Sequence, residues 1–481
     1  MLEARKLSFS YDHKTPVLES ANLSVSPGEA VLITGKTGSG KTTLALCLSG
    51  FIPRSIQGNF SGSIHVNGED VSGLPTSQLS KRVALVQQDP DSQICTLKVS
   101  DEVAFGPENY LMEPSRIRHN IESALASVGA SHLADRPTYS ISGGEKHRTT
   151  IASVLSFEPE YIIFDEASAN LDPRGINLLR EIIPRLKSSG FGIVCIEHNL
   201  RAMASVVDRI LLLENGALRE TTGRPISSHS LSVISPLPES RDPLLTASKV
   251  TYSYSRHTAI EGVSMSIHAG DIIALMGDNG SGKTTLLALL SGLLRPQDGQ
   301  VLLHALPLTS YRRNRLTKEI GFVLQNPNHQ IFEKTVWAEQ TLSLRTLDLF
   351  NQSSANTSIE LLREAGLEEA SDQNPFSLSH GQKRRLNVTS ILAHGPRILL
   401  LDEPFVGQDA DGREFITRVV RRQAEQGGAA VIATHDTGFA EHSCNRIIFL
   451  EDGELLLDGS PKSVLNRFEE SGHSDYLEGS E

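Results

Sequence analysis

The sequence has little of what a membrane-spanning, disulfide-bonded or nucleic-acid-coating protein requires. Its 481 residues hold four cysteines, Cys47, Cys95, Cys195 and Cys444, with no CxxC pair and no metal-like cluster, which reads as reduced thiols in a cytoplasmic protein. No apolar run approaches the roughly 18 residues that span a bilayer. The opening "MLEARKLSFSYD" lacks the character of a signal peptide. Positive charge is the scarcer sign: 45 Lys and Arg against 57 Asp and Glu give a formal net charge of −12, which argues against broad attraction to nucleic acid or anionic lipid. Any membrane contact is therefore expected to run through another protein. With 39% apolar and 21% charged residues, the composition is that of a globular protein, and the length exceeds what one core ordinarily holds.

What is present is present twice. "GKTGSGKTTL" begins at Gly35 and "GDNGSGKTTL" at Gly277, and both fit G-x-x-x-x-G-K-[ST], in which glycines let backbone amides approach phosphate oxygens. The phosphate-binding candidates are Gly35, Gly38, Ser39, Gly40, Lys41, Thr42 and Thr43 in the first copy, and Gly277, Gly280, Ser281, Gly282, Lys283, Thr284 and Thr285 in the second. The apolar runs Ala30 to Thr34 and Ile272 to Met276 predict buried strands before each loop, and Thr43 to Leu48 and Thr285 to Leu290 predict helices after it. Each loop thus lies at a helix N-terminus, where phosphate is favoured.

Other features recur at a fixed offset. Lys41 and Lys283 differ by 242, whereas Gln88 and Gln325, Ser142 and Ser379, Asp165 and Asp402, and His198 and His435 all differ by 237. The second half has lost five residues opposite "PRSIQGNFSGSIHVNGE", a Gly/Ser-rich stretch where loop length costs little. A tandem duplication follows: domains at 1–222 and 244–465, a Ser/Pro-rich linker at 223–243, and a polar acidic tail at 466–481 that is expected to fray.

Apolar strands ending in acid, "YIIFDE" and "ILLLDE", supply what a phosphate loop needs beside it. Asp165 and Asp402, with the hydroxyls of Thr42 and Thr284, are candidates to hold magnesium; Glu166 and Glu403 are placed to polarise a water toward the γ-phosphate. Further strands end at His198 ("GIVCIEH") and His435 ("AAVIATH"). Gln88 in "VQQDPDSQ" and Gln325 in "LQNPNHQ" either meet the metal and the attacking water or cap a turn. In "SISGGEKHR" and "SLSHGQKRR", Ser142 and Ser379 precede Gly143-Gly144 and His380-Gly381 and then a helix.

Taken in order, phosphate loop, glutamine, Ser-Gly signature, "DE" strand, "SANLD" or "FVGQD" loop and histidine, the chain resembles the nucleotide-binding domains of ATP-binding-cassette (ABC) proteins, twice over. The resemblance implies an α/β chain of two tandem P-loop NTPase (ABC-type) domains, each with a parallel-sheet core, an antiparallel β subdomain and a helical subdomain. It further implies an intramolecular clamp binding ATP and Mg²⁺. In that clamp Lys41, Thr42, Gln88, Asp165, Glu166 and His198 work with Ser379, Gly381 and Gln382, while Lys283, Thr284, Gln325, Asp402, Glu403 and His435 work with Ser142, Gly143 and Gly144. Tyr11 and Tyr254 match the aromatic position that stacks on adenine. Three residues depart from the pattern: His380 for the first signature glycine, Glu145 for glutamine, and Gln408 for the leucine before Asp409.

From glutamine to signature serine both halves count 54 residues, filled with helical patterns such as "SRIRHNIESALASVG" and "SIELLREAGL". The segment "QQDPDSQICTLKVSDEVAFGPEN" is similar to that of energy-coupling-factor (ECF) transporter ATPases, which drive uptake of vitamins and of nickel or cobalt ions; "QNPNHQIFEKTVWAEQ" is less so. The resemblance implies an integral membrane transport subunit and a substrate-binding membrane subunit as partners, no nucleic acid, and a place on the cytoplasmic face of the membrane. Asp101 and Glu102 are expected to be exposed in the docking segment. The alternatives are a conventional ABC importer or exporter and a soluble tandem ABC ATPase. Ribosome-acting cassettes would carry a long charged helical linker, and DNA-repair cassettes zinc-binding cysteine clusters.

Overall fold

The computed structural model describes residues 1–11, 16–36, 38–87, 90–168, 171–197, 203–221, 242–254 and 257–477. The chain divides into two compact units, Met1–Ser228 and His229–Glu481. Most of the stretch read as a linker, with Gln88 and His198, lies outside the described residues.

In the first unit the continuous apolar runs form a six-stranded sheet in the order Ala217–Thr221, Arg209–Glu214, Ala30–Thr34, Gly192–Ile196, Tyr161–Asp165, Val83–Val86, parallel except for the terminal hairpin. These runs do not alternate because both faces are covered. Ile162 and Phe164 enter one core cluster, Tyr161 and Ile163 the other. A second sheet, Leu18–Val25, Leu2–Ser10, Asn59–Val66, Glu69–Asp70, is antiparallel. The helices Val99–Asn109, Pro114–Ser127 and Gly143–Leu155 pack on one another as the helical part.

The second unit repeats this plan. Its main sheet runs Ile320–Val323, Ile398–Asp402, Ala429–Ala433, Ile272–Met276, Arg446–Glu451, Glu454–Gly459. The antiparallel sheet is His257–Ile267, Leu245–Tyr254, Asp298–Leu303, Leu306–Pro307. Val336–Thr346, Gln352–Glu364 and His380–Leu392 are its helical part. The expected strands 30–34 and 272–276 form with those ends, and the helices after the loops begin two residues early, at Lys41 and Lys283. In each unit the C-terminal ends of the parallel strands meet at one sheet edge, where ligands bind in α/β folds.

The tail departs from its expectation. Residues 466–477 do not fray: the helix Pro461–Phe468 buries Phe468, and a turn at Ser474–Tyr476 returns Tyr476 to the core at 1% exposure. The Tyr476 ring lies 5.2 Å from Phe449 and 5.4 Å from Phe468. The segment is polar on average, but its few large side chains share one side. Among the described residues no helix is long and apolar enough to cross a membrane.

Candidate functional site

Each phosphate loop turns on glycines. Gly282 caps the helix Lys283–Leu290 with φ 100°, a left-handed conformation, and a Cβ on Gly277 would stand 2.2 Å from the Leu450 carbonyl oxygen. Lys283 Nζ folds back to donate to the carbonyls of Gly277 (2.6 Å) and Asp278 (2.8 Å), and Lys41 Nζ does the same to Gly35 (2.8 Å) and Lys36 (2.9 Å). Both ammonium groups therefore sit over their own loops. The Ser39 and Ser281 hydroxyls are buried without hydrogen-bond partners.

The acidic strand ends close on the loops. Thr284 Oγ1 donates to Asp402 Oδ2 at 2.8 Å, and Thr42 Oγ1 reaches Asp165 Oδ1 at 3.4 Å. The following residues, Glu166 and Glu403, take left-handed backbones with φ 52° and 47°. Non-glycine residues adopt that region at a cost, and such strain collects at functional sites. Each is pinned by a backbone bond across the sheet, Glu166 N to Ile196 O (2.9 Å) and Glu403 N to Ala433 O (3.0 Å).

In the second unit His435 Nε2 lies 3.2 Å from Glu403 Oε1 and 3.2 Å from Asn279 Oδ1. Burial pushes the Glu403 carboxyl up to about 8, against the opposing pull of Lys283. Burial, and then the Lys283 ammonium, holds His435 well below the ordinary imidazole range. Burial thus disfavours the charged form of each of these two groups. Asp402 is also raised, chiefly by burial. In the first unit Glu197 is buried, accepts from Ser168 N at 2.9 Å, and is raised to about 8 by burial.

The signature serines cap helices reciprocally. Ser142 accepts from Glu145 N and donates its own N–H to Glu145 Oε2 at 2.7 Å; Ser379 and Gln382 do likewise, with 3.0 Å to Gln382 Oε1. Glu145 therefore replaces glutamine as the return arm of a capping box, and Arg136 lies 3.3 Å from its carboxylate. The residue 237 positions later, Gln373, is neutral, as is Gln382. His380 occupies the first turn of its helix, and Gly381 behind it is buried.

Tyr11 and Tyr254 are about half exposed, each edge-on to an aromatic neighbour, and the Tyr11 hydroxyl is 3.0 Å from Thr43 Oγ1. Gln325 follows the strand Ile320–Val323, exposed, with its carbonyl accepting from Arg384.

The family model described as ABC transporter matches residues 18–169 and 260–406. The chain belongs to the ABC transporter family. It is 32% identical over 511 residues to YkoD of Bacillus subtilis (strain 168), provisionally named an HMP/thiamine import ATP-binding protein, covering 97% of this chain and 93% of that protein. It is 34% identical to an ABC transporter ATP-binding protein, also provisionally named, of Treponema denticola, covering 95% and 96%. Among solved structures, ribosome-bound archaeal ABCE1 with Pelota matches with TM-score 0.70 at 22% identity over 97% of this chain and 80% of that one, a likeness of fold. CbiO1 of Clostridium perfringens, part of the complex cbiONQ, matches with TM-score 0.43 at 30% identity over 49% and 95%. The protein is an ABC ATPase, and its domains bind and hydrolyse ATP.

Several residues that position this ABC ATPase's sites escaped the motif reading. Gln93 and Gln330 bond the backbone at the ends of the strands Val83–Val86 and Ile320–Val323: Gln330 accepts from Leu324 N (2.9 Å) and donates to Phe322 O (2.7 Å), and Gln93 accepts from Gln87 N (3.0 Å) and donates to Leu85 O (3.1 Å). The 237 offset, extended to every residue, would have found them. Glu102 corrects an expectation: it is 4% exposed and accepts from the N–H groups of Cys95 and Thr96 at 3.0 and 2.9 Å, as Glu339 does from Phe332 and Glu333. A buried carboxylate folding its own turn cannot serve as a docking charge; Asp101 beside it is exposed. Arg384 is fully buried and donates to the carbonyls of Asp402, Glu403 and Gln325. Gln408 is buried, donating to Gly381 O at 3.0 Å and accepting from Arg385 at 3.3 Å.

Proposed function

We propose that the chain is the energy-coupling ATPase of an ECF-type importer, peripheral on the cytoplasmic face of the membrane, and that the imported solute is a vitamin or its precursor. The observation that carries this reading is the full-length likeness to YkoD, whose name specifies HMP/thiamine import. It favours a vitamin over a nickel or cobalt ion. The resemblance of Gln87 to Asn109 to ECF ATPases points the same way.

In this reading the two units close on each other, so that Ser379 and Gly381 complete the site of Lys41, and Ser142 and Gly144 that of Lys283. The paired hydroxyl and carboxylate oxygens of Thr42 with Asp165 and of Thr284 with Asp402 are hard donors that suit Mg²⁺. Bound there, magnesium would offset the charge of the β- and γ-phosphates. Lys41 and Lys283 leave their loop carbonyls for phosphate oxygens, Glu166 and Glu403 orient the attacking water, and His198 and His435 hold the γ-phosphate side. Gln88 and Gln325 would meet the bound metal and the attacking water from the side of the docking face.

That face carries apolar side chains suited to a membrane subunit's helix. Leu97 is 78% and Tyr139 76% exposed, on neighbouring segments joined by the bond from Thr138 N to Leu97 O at 3.0 Å. In the second unit Phe376, at the position of Tyr139, and Phe332, at the position of Cys95, are exposed. The test is to express the chain with its native membrane proteins, fractionate, cross-link from cysteines placed at Leu97 and Phe332, and assay uptake of labelled thiamine, Ni²⁺ and Co²⁺. Capture of an integral membrane protein with ATP-dependent thiamine uptake supports the reading. Full recovery in the soluble fraction without a membrane cross-link overturns it.

A further inference from the structure

The C-terminal segment reaches the second phosphate loop. The Tyr476 hydroxyl donates to Asp278 Oδ1 at 3.0 Å, and the Tyr476 carbonyl accepts from Thr437 Oγ1 at 2.7 Å. Asp278 directly follows Gly277 in the loop, and Thr437 lies two residues beyond His435. One residue near the chain's end thus bridges the phosphate loop and the segment after the histidine. Asn279, the next loop residue, closes the same circuit through His435 Nε2 at 3.2 Å.

The tyrosine is not a surface group that happens to lie nearby. Its ring is 1% exposed and wedged by Phe449, Phe468 and His473, so packing holds the hydroxyl in place before any ligand arrives. What it holds is a carboxylate in a loop built to receive a polyanion. A free carboxylate beside the phosphates would repel them. The first half carries Lys36 at this loop position, with no carboxylate to restrain.

We infer that Tyr476 is a positioning residue of the second ATP site: its hydroxyl keeps the Asp278 carboxylate on the C-terminal side of the loop, away from incoming phosphates, and its carbonyl ties that loop to the segment bearing His435. The C-terminal segment thereby sets the second site's affinity for nucleoside triphosphate. The inference rests on the second phosphate loop holding ATP.

The test is a cycle of variants in the full chain, in a Lys41→Ala background that leaves the second site to be read. ATP affinity is measured by titration calorimetry and unfolding by thermal melting. Tyr476→Phe keeps the ring in its packing and removes the one hydroxyl. It is expected to weaken ATP binding about five-fold with the melting temperature unchanged, and Asp278→Asn is expected to make Tyr476→Phe silent. A merely structural tyrosine would move melting rather than affinity and would ignore Asp278→Asn. Unchanged affinity in Tyr476→Phe, or a loss that persists in full with Asp278→Asn, overturns this inference alone. ATP binding by Lys41→Ala that survives Lys283→Ala undiminished overturns the underlying reading of the loop and this inference with it.

Discussion

Five residues after the signature serine, the first unit buries His147 and the second buries Arg384, at positions 237 apart. The Arg384 guanidinium knits the carbonyls of Asp402, Glu403 and Gln325 into one network beneath the acidic strand end. Burial lowers it to about 10, still charged, with Glu403 and Asp402 offsetting the cost. Burial lowers His147 to about 4, and its Nε2 has no hydrogen-bond partner. The same contrast recurs around each site: Leu171 against Gln408, Lys36 against Asp278, Glu197 against Thr434. The duplicated halves have kept the phosphate loops, aspartates and glutamates and exchanged the residues that brace them. They are one chemical design with two different supports.

The largest effect should come where the halves are alike. Glu166→Gln with Glu403→Gln should lower phosphate release by at least about a hundred-fold while ATP still binds, and each single change, measured by steady-state hydrolysis, reads the share of one site. Near-normal turnover in the double variant would remove both glutamates from the chemistry.

Arg384→Met should strip a buried charged donor from three carbonyls and cost the second unit roughly 3 kcal/mol. The chain's one tryptophan, Trp337, lies in that unit, so its fluorescence in denaturant titrations reads the loss. A loss below about 1 kcal/mol would mean that the braces are interchangeable.

His147 predicts a pH dependence that the position of Arg384 cannot supply. The folded value of about 4 lies below the ordinary 6.5, so the unfolded chain takes the extra proton. Stability present above about pH 6.5 should fall as pH drops toward 4, by roughly 3 kcal/mol at the limit. Calorimetric scans of the chain against His147→Leu should show a flatter slope for the variant's first unit; equal slopes would break the comparison.

The smallest effect is expected at Gln408. Gln408→Leu copies the first unit, forfeits the bond to the Gly381 carbonyl and should cost about 1 kcal/mol. The site is tight: a Cβ on Gly412 would meet the Gln408 amide oxygen at 2.1 Å, as one on Gly175 would meet Leu171 at 3.0 Å. Trp337 fluorescence in urea checks the loss.

What the sequence determined by itself is the part in which local pattern and chemistry coincide. The strands Ala30–Thr34, Tyr161–Asp165 and Ile398–Asp402 were legible because a run buried on both faces must be apolar throughout, and a strand end is where a polar group can return. The duplication was legible because fixed offsets survive substitution. Glu102, Arg384, Gln93 and Tyr476 were not, since nothing in a charged or polar letter says whether water or a backbone carbonyl meets it. Tertiary structure made that decision: Arg384 is useful only because the Asp402, Glu403 and Gln325 carbonyls converge on it, and Tyr476 reaches Asp278 across 198 positions of chain. Buried polar groups must find partners, and partners brought together by packing carry no signature along the sequence.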